Sequence, residues 1–354
     1  MSVKKKETRI DRSSGGLFMH PLEALLPTQL WTAGPDVRFD GDMEALRRQC
    51  GAKLNQRDAA IEAGLVKPFV PSSTATKAAD LPAAFDSATQ WPQCAQIITD
   101  IRDQSDCGCC WAFAAAEAAS DRMCIATNAS IMVPLSSRDL CFCASTNGCN
   151  GGELQPAWQH IMDSGLVTGG QYNNTGPFGA NLCKSWQFPH CHHHGPAGDD
   201  PYPSEGTAGC PPEASEAWCP TECDDGVAGG HSVYAKDKYA FQGHIVSPAR
   251  DEVQIMQLIH DHGPVEAAFT VFEDFANYSS GIYHHVDGGL AGGHAIKIVG
   301  WGVEGGTKYW KVANSWNSYW GEDGFFRIVK GRNECGIEEE VYSNDPDATW
   351  GPKQ

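Results

Sequence analysis

The sequence lacks the features that mark membrane proteins and nucleic-acid-binding proteins. It contains no apolar run of 18 residues, the length that a membrane-spanning helix requires. Its formal net charge is −18, and no basic stripe or row of stacking aromatic residues interrupts this acidity. The opening stretch MSVKKKETRIDRSSGG is basic but no apolar segment follows it, so no secretory signal peptide is visible. Neither nucleic acid nor a membrane is therefore expected as a partner.

Cysteine, in contrast, is plentiful. The chain has 15 cysteines, too many for a reduced cytosolic enzyme without an evident metal site. Three glycosylation sequons, at Asn128, Asn173 and Asn277, suit a secretory route. We therefore expect a disulfide-bonded protein of an oxidising compartment, in which the odd cysteine total leaves at least one thiol unpaired.

The first 80 residues form a unit of their own. They hold 12 Lys and Arg against 10 Asp and Glu, whereas the rest of the chain carries a formal charge of −20. Opposite charges favour attraction between the two parts, although ordinary surface variation is the alternative. Residues 43–54 predict a short amphipathic helix that ends near Gly51. The Pro-, Ser- and Thr-rich residues 68–80 are typical of a cleavable linker.

The remainder, residues 81–354, changes from helical to strand-like patterns along the chain. The helices are predicted at residues 111–124, 155–164 and 252–262, and the strands at 265–272, 294–302, 308–316 and 324–331. Between them, residues 172–230 are loop-rich. This order predicts an α+β body with a helical half over about 92–240 and a β-rich half over about 241–345. A cleft between two such halves is a common place for a functional site.

The candidate nucleophile is Cys110, one residue before the most strongly predicted helix. A helix N-terminus lowers the pKa of a thiol, and a thiolate is the reactive form of cysteine. Gln104 precedes Cys110 by six residues and can donate an amide N–H to an oxyanion, with the Cys110 backbone N–H as the second donor.

A candidate base and its orienting partner follow far downstream. His294 comes directly after two glycines, which allow another chain to approach closely, and Asn314 ends a later strand-like run. A histidine that takes a proton and an asparagine that holds its ring complete a Cys/His/Asn set. Each residue alone is more often a packing or turn residue, but their joint occurrence in this order favours catalysis.

The run Gln104-Ser-Asp-Cys-Gly-Cys-Cys110-Trp resembles the C-G-[SA]-C-[WY] signature of the papain-like cysteine proteases. The resemblance covers the chain after Leu81. It implies a two-subdomain fold with a helical left half and a β-barrel-like right half, peptide and protein substrates, cystatin-type inhibitors, a monomer, and no cofactor or metal. His294 lies 184 residues after Cys110, beyond the roughly 130–150 usual in that family, so an insertion is expected.

The inserted stretch resembles the occluding loop of the cathepsin B group, at residues 183–223. The run Phe188-Pro-His-Cys-His-His-His194 would then supply His193 and His194 as receptors for a substrate's C-terminal carboxylate. This implies removal of dipeptides as well as internal cleavage. The alternative is a Cys/His-rich metal site.

Other parts of the chain extend the resemblance. Gly151 and Gly152 match the wall of the cleft that pairs with an extended substrate, and Trp316 belongs to the substrate-binding set. Glu340 falls where an acid lies at the bottom of the S2 pocket, with a solvated surface acid as the alternative. Residues 31–51 resemble a propeptide that blocks the cleft, so residues 1–80 are expected to be an inhibitory prosegment with the mature enzyme starting near Leu81.

The family also implies a disulfide pattern. The implied pairs are Cys94–Cys124, Cys107–Cys149, Cys183–Cys223 and Cys191–Cys210, with Cys219 bonded to Cys141 or Cys143 and Cys335 a free buried thiol. Cys109 departs from the serine usual before the nucleophile. We interpret it as a harmless small residue, or alternatively as half of a vicinal disulfide with Cys110 that switches the enzyme off.

These features favour the interpretation that the protein is a cysteine peptidase made as a zymogen. It is expected in a lysosome or an equivalent acidic compartment, or to be secreted. Two other classes of protein are the alternatives. One is a catalytically silent homologue that acts as a binding protein. The other is a disulfide-rich structural or zinc-binding protein, which metal analysis would identify.

Overall fold

The computed structural model describes residues 30–73, 75–145, 147–195, 200–211 and 218–353. The predicted N-terminal unit is therefore described from residue 30 onward, and its residues 1–29 lie outside the described ranges. Residues 30–69 are called the N-terminal segment below, and residues 81–353 the body.

The helical half of the body surrounds one long helix. This helix, α5 (Cys110–Ala126), begins at the candidate nucleophile and is buried from Cys110 to Cys124. Seven of its 17 residues are alanines, whose small side chains allow other elements to approach it closely. The neighbouring helices are α3 (Ser87–Gln90), α4 (Ala95–Ile98), α6 (Ser137–Cys143) and α7 (Leu154–Asp163).

The β-rich half is a long twisted sheet. Its strands from the body are β3 (Phe85–Asp86), β5 (Ile245–Ser247), β6 (Val265–Phe272), β7 (Tyr278–Tyr283), β8 (Leu290–Glu304), β9 (Thr307–Ala313), β10 (Phe325–Val329) and β11 (Glu340–Asn344). Helix α8 (Glu252–His262) connects β5 to β6. A separate pair joins β4 (Tyr239–Gln242) to the C-terminal β12 (Thr349–Pro352). Strand β8 lies near the middle and pairs antiparallel with β6 and β9.

The N-terminal segment supplies both edges of this sheet. It contains β1 (Trp31–Ala33), α1 (Met43–Gln49), α2 (Arg57–Glu62) and β2 (Lys67–Pro68). The strand order is β1-β7-β10-β9-β8-β6-β11-β5-β2, with β3 also paired to β8. Because β1 and β2 do not pair with each other, the sheet is open within the described residues, and the expected barrel-like closure is corrected to an open sheet. The segment covers two edges that would otherwise expose unpaired backbone groups.

A buried charge cluster joins the nucleophile helix to the sheet. Lys297 of β8 lies 2.7 Å from an Asp121 carboxylate oxygen and 3.9 Å from Glu117, both on α5. The three side chains are buried. Burial raises the pKa of Glu117 to about 7 and that of Asp121 to about 6, against the opposite effect of Lys297. Glu117 and Asp121 follow Cys110 in α5, and Lys297 follows His294 by three residues in β8. The cluster therefore holds together the two elements that carry Cys110 and His294.

Six disulfides crosslink the described part of the body. Four are the pairs that the family resemblance implies, and a fifth joins Cys219 to Cys143 rather than to Cys141. The sixth joins Cys109 to Cys141, so Cys109 is neither an isolated small residue nor a partner of Cys110. This crosslink ties the start of α5 to α6. The free thiols are Cys50, Cys110 and Cys335, of which Cys335 is half-buried rather than buried.

The loop-rich prediction for residues 172–230 agrees with short 3-10 turns and irregular chain in the described part of that stretch. Two disulfides, Cys183–Cys223 and Cys191–Cys210, close loops within it. No helix among the described residues is long and apolar enough to cross a membrane.

Candidate active site

Cys110 is the first residue of α5 and is completely buried. Its sulfur lies within reach of the backbone N–H groups of Ala295, Gly51 and Trp111. Burial raises the pKa of the Cys110 thiol to about 11, although these three N–H groups act to lower it. The described state therefore holds the nucleophile as a neutral thiol. Ala295 follows His294 in β8, so the predicted nucleophile and base meet at one point of the cleft.

His294 is held by Asn314. The His294 Nε2 atom lies 2.8 Å from Asn314 Oδ1, and since an amide oxygen only accepts, Nε2 carries the proton. Nδ1 is then the basic nitrogen, and it is buried without a hydrogen-bond partner among the described residues. Burial lowers the pKa of His294 to about 4, although the bond to Asn314 acts to raise it. The imidazole is thus neutral as well.

Trp316 packs against the His294 ring. Its ring centroid lies 4.7 Å from that of His294 and 5.1 Å from that of Phe39 in the N-terminal segment. Trp316 is fully buried. A buried indole beside His294 keeps the surroundings apolar, which strengthens the hydrogen bond between His294 and Asn314.

Gln104 points its side-chain amide at the backbone of the N-terminal segment. The Gln104 Nε2 group donates to the Gln49 carbonyl oxygen at 2.9 Å and to the Cys107 carbonyl oxygen at 2.7 Å. Ser315 fixes the other end of the amide, because its hydroxyl donates to Gln104 Oε1 at 2.7 Å. The Gln104 amide group, which is predicted to bind an oxyanion, therefore already donates to a peptide carbonyl of the N-terminal segment.

The two predicted wall glycines contact the same segment. The Gly152 N–H donates to the Gly51 carbonyl oxygen at 2.9 Å, and the Lys53 N–H donates to the Gly152 carbonyl oxygen at 2.9 Å. A Cβ atom at Gly152 would lie 2.5 Å from the Trp111 ring, and one at Gly151 would lie 2.5 Å from the Gly51 oxygen. Only glycine leaves room for a chain here.

The opposite wall of the cleft is β8. The Ala52 N–H donates to the Gly293 carbonyl oxygen at 2.9 Å. A Cβ atom at Gly293 would lie 2.2 Å from the Ala52 oxygen and 2.8 Å from Leu54 Cγ. The N-terminal segment is consequently held between both walls by backbone hydrogen bonds, in parallel register with each.

Glu340 lies beyond Leu54 and is buried, so it is not the solvated acid of the alternative interpretation. One carboxylate oxygen accepts the Arg57 N–H at 3.2 Å, and the other accepts the Tyr342 hydroxyl at 3.3 Å. Burial raises the pKa of Glu340, against the effect of these donors. An acid at this depth is available to a cationic side chain once the segment has left.

His194 contacts the N-terminal segment, and His193 contacts Tyr319 of the body. His193 is buried, its ring lies 5.4 Å from that of Tyr319, and its Nε2 has no hydrogen-bond partner in the described chain. His194 is partly exposed, its N–H donates to the Val37 carbonyl oxygen at 2.7 Å, and its Nδ1 lies 3.8 Å from an Asp40 oxygen. The two histidines are therefore covered from the segment's side.

The other groups of this loop do not assemble a metal site in the part that the structure describes. Cys191 is bonded to Cys210, while His190 pairs with Glu205 and His192 with Asp200. Among the described residues the one cluster with metal-ligand spacing is Cys107, Cys109 and Cys141, and all three are in disulfides.

Two residues that lie at the site, Arg38 and Glu266, could not be predicted from the sequence. Arg38 of the N-terminal segment forms a completely buried ion pair with Asp103, the residue before Gln104. Glu266 is buried near Cys110, accepts the Trp158 indole N–H at 2.7 Å, and has its pKa raised well above the ordinary value by burial. Residues so far apart in the chain are brought together only by the fold, and a local sequence pattern does not predict such contacts.

These features define a cysteine protease of the papain type. The sequence profile described as "Papain family cysteine protease" matches residues 81–344, and the chain belongs to that family. Within the family it is similar to enzymes of the cathepsin B kind. It is 45% identical over 276 residues to "Cathepsin B-like cysteine proteinase 6" of Caenorhabditis elegans, covering 75% of this chain and 67% of that protein. It is 46% identical over 269 residues to "Cathepsin B-like cysteine proteinase 4" of the same organism, covering 75% and 76%.

Solved structures agree with this assignment. "proCathepsin B S9 from Trypanosoma congolense" superposes with a TM-score of 0.67 at 28% identity, covering 92% of this chain and 94% of the other. The digestive procathepsin L 3 of Tenebrio molitor larval midgut superposes with a TM-score of 0.57 at 22% identity, covering 89% and 83%, which supports the fold alone. Both of these proteins are named as procathepsins.

Proposed function

We propose that this chain is the zymogen of a cysteine peptidase in which Cys110 is the nucleophile and His294 the base. The observation that carries the proposal is the hydrogen bond of 2.8 Å between His294 and Asn314, which leaves His294 Nδ1 as the basic nitrogen in the cleft. Removal of the N-terminal segment admits water, and water relieves the burial that now keeps both the thiol and the imidazole neutral. The proton then moves from sulfur to Nδ1, giving a thiolate and an imidazolium.

The proposed reaction is acyl transfer. The Cys110 thiolate attacks the carbonyl carbon of the scissile peptide bond, and the carbonyl oxygen becomes an oxyanion bound by the Gln104 amide and the Cys110 backbone N–H. His294 gives its Nδ1 proton to the leaving amine, and a thioester to Cys110 remains. His294 then takes a proton from a water molecule that attacks this thioester, which releases the acid and restores the thiol. Asn314 keeps the imidazole ring oriented throughout.

Residues 1–80 serve in this proposal as an intramolecular inhibitor. The Gln49 carbonyl already binds the Gln104 amide at 2.9 Å, and residues 51–53 pair with Gly152 and Gly293. Substrate and segment therefore compete for the same backbone donors. The linker over residues 68–80, of which residues 77–80 are exposed, is the proposed place of cleavage, which puts the start of the mature enzyme near Leu81.

Acid would release the segment through selected carboxylates. Burial raises the pKa of Glu340, which holds the Arg57 N–H, so this group takes up a proton first as pH falls. The Asp103 carboxylate is different: burial acts to raise its pKa, but Arg38 outweighs burial and holds the pKa below its ordinary value. Acid would therefore weaken the hold on the segment at the Arg38–Asp103 pair, whereas the raised pKa of Glu340 belongs to the covered state and does not favour release.

The loop histidines support a second activity, the release of C-terminal dipeptides. His193 and His194 lie together on the side of the cleft where Val37 and Asp40 now cover them. Once uncovered and protonated, two imidazolium groups form a receptor for a terminal carboxylate. Glu340 would add a preference for arginine, besides apolar residues, two positions before the scissile bond.

The proposed cellular location of this enzyme is based on its disulfides. Six disulfides suit an oxidising compartment, so we propose a lysosomal or comparable acidic location, or secretion, for a monomer with cystatin-type proteins as candidate inhibitors. Of the three sequons, Asn128 and Asn173 are exposed and are the better candidates for glycosylation, since Asn277 is half-buried beside Gly34.

The test is a pH series on enzyme freed of its N-terminal segment. A reporter peptide with a blocked C-terminus is compared with a peptide of the same sequence that ends in a free carboxylate. We expect cleavage of both peptides in acid. The variant His194→Gln should lower dipeptide release far more than cleavage of the blocked reporter. An enzyme inert toward both peptides would instead indicate the silent homologue.

A further inference from the structure

Thr76 of the linker is anchored on helix α8 of the body. Its hydroxyl donates to Asp261 Oδ1 at 2.6 Å, and its backbone N–H donates to Asp261 Oδ2 at 2.9 Å. Its carbonyl oxygen accepts the side-chain amide of Gln257 at 2.8 Å. The body therefore binds every polar group of this one residue, within a stretch whose composition predicts a free linker.

His260 completes the set of α8 residues around Thr76. Its Nδ1 atom lies 2.8 Å from Asp261 Oδ1 and 3.3 Å from the Thr76 hydroxyl oxygen. Since an ionised carboxylate only accepts, Nδ1 carries the proton. The His260 ring centroid lies 5.1 Å from that of Phe85, near the start of the proposed mature chain. Gln257, His260 and Asp261 are called the α8 latch below.

The carboxylate of the α8 latch lies at an unfavourable end of its helix. Because α8 ends at His262, Asp261 is in the last turn, where the helix macrodipole disfavours a negative charge. Burial acts to raise the pKa of Asp261 too, but the bonds from Thr76 and His260 outweigh burial and hold this pKa below its ordinary value. Thr76 supplies two donors to the ionised group, so its departure leaves that carboxylate less well stabilised.

The linker is exposed on both sides of Thr76. After Thr76, residues 77–80 are exposed. Before it, Val70 is 76% exposed, and the chain is held again only at Phe69, whose N–H donates to the Ser247 carbonyl oxygen at 2.8 Å. A protease can therefore reach the linker before Thr76 or after it, and the two cuts differ in which product keeps Thr76.

We propose that the α8 latch is a binding site for the cut end of the linker, and that it delays the release of a segment that has already been cleaved. A cut after Thr76 leaves this residue attached to the N-terminal segment, which is then held at α8 as well as in the cleft. A cut before Thr76 leaves it on the body, and the segment loses that hold at once. The inference rests on the proposed function, because release from the cleft is what frees Cys110.

The experiment follows release of the segment from full-length chains that are cut at one chosen place. One chain carries the recognition sequence of a site-specific protease between Val70 and Pro71, and the other carries it between Ala78 and Ala79. Both chains carry Cys110→Ser, so neither can cut itself. The body is held on a resin by a C-terminal tag, and a fluorophore at the N-terminus reports how fast the cut segment washes off.

After the cut beyond Ala78 we expect release about tenfold slower than after the cut beyond Val70, the size expected for hydrogen bonds to a charged group. Thr76→Val keeps the shape of the side chain and removes its hydroxyl. It should speed release after the later cut and leave release after the earlier cut unchanged, and Asp261→Asn should act in the same direction. Lys77→Gln, at the exposed neighbour of Thr76, is the matched control and should change neither rate.

Equal release rates after the two cuts overturn the proposal. So does a Thr76→Val chain that, after the later cut, releases its segment as slowly as the chain with Thr76. Failure of the proposed function is distinguishable, because release from the resin needs no catalysis. With Cys110 retained, peptidase activity should appear at the rate of release. A body that stays inert after its segment has left in the predicted order would contradict the proposed function and not the α8 latch.

Discussion

The side-chain amide of Gln104 donates a hydrogen bond of 2.9 Å to the backbone carbonyl oxygen of Gln49. The first residue belongs to the body and the second to the N-terminal segment, so the donor proposed for catalysis is engaged before any substrate arrives. In the proposed zymogen the segment inhibits by occupying the proposed catalytic groups directly. The proposal thus makes the same groups responsible for inhibition in the zymogen and for reaction in the mature enzyme.

Asn314 is expected to act on the reaction through the His294 ring. In Asn314→Ala the ring loses its 2.8 Å hydrogen bond, and we expect kcat to fall about tenfold or more while KM changes little. The alkaline limb of the pH dependence of kcat/KM should move to lower pH, because the bond to Asn314 acts to raise the pKa of His294 and the imidazolium loses its proton earlier without it. Asn147→Ala, at an exposed asparagine, is the matched control and should behave as wild type. Equal kinetics for the two variants would contradict the role of Asn314.

Arg38 is expected to hold the N-terminal segment in place. Loss of one partner from a buried ion pair costs about 3–5 kcal/mol, whereas an exposed pair contributes about 0–1 kcal/mol. We therefore expect Arg38→Gln in the full chain to become active at least tenfold faster at a given pH than wild type. Arg47→Gln is the control, because Arg47 is 38% exposed and pairs with Glu44 and Glu273 at the surface. Matching activation rates in the two variants would refute this role.

The buried cluster of Glu117, Asp121 and Lys297 predicts a fall of stability from acid to neutral pH. Burial raises the pKa of Glu117 to about 7 and of Asp121 to about 6, from ordinary values near 4. Between about pH 4 and 7 the folded chain thus binds more protons than the unfolded chain, so the free energy of unfolding decreases as pH rises. The melting temperature should drop by several degrees across that window.

Glu117→Gln removes the group with the higher of these two pKa values and should flatten that dependence. Glu62→Gln, which removes an exposed acid at the end of α2, is the matched control and should leave the slope unchanged. A melting temperature of Glu117→Gln that falls with pH as steeply as in the wild type would show that the cluster is not the cause.

The sequence predicts an element well where one local signal decides it. Helix α8 was predicted over residues 252–262 and has those ends, because the Asp251 side chain caps its start and Gly263, at φ 99°, ends it. Strand β6 agrees over residues 265–272 for a similar reason, as its apolar, β-branched run is bounded by a proline before it. The placement of Cys110 at the head of α5 follows from the alanine-rich run behind it.

Elements that depend on distant partners were predicted less well. Helix α1 was predicted in residues 43–54 with an end near Gly51, and it ends at Gln49; Gly51 to Lys53 pair instead with the two walls of the cleft, which the sequence alone does not predict. The open sheet depends on β1 and β2, which are three and two residues long and too short for a periodicity. The pairing of Cys109 with Cys141 is a choice among many connectivities that spacing does not determine.

The reactivity of Cys110 with a small alkylating reagent tests the central claim most directly. A thiol with a pKa of about 11 is ionised in only about one molecule in ten thousand at pH 7, whereas a thiolate–imidazolium pair is ionised in most molecules. The rate of iodoacetamide modification, located at Cys110 by peptide mass spectrometry, should rise at least a hundredfold when the N-terminal segment is removed, in step with peptidase activity. Cys335→Ser, which removes the half-buried free thiol, should leave that rate unchanged. Equal rates before and after removal, or an active enzyme in which Cys110 is already modified, would contradict the account.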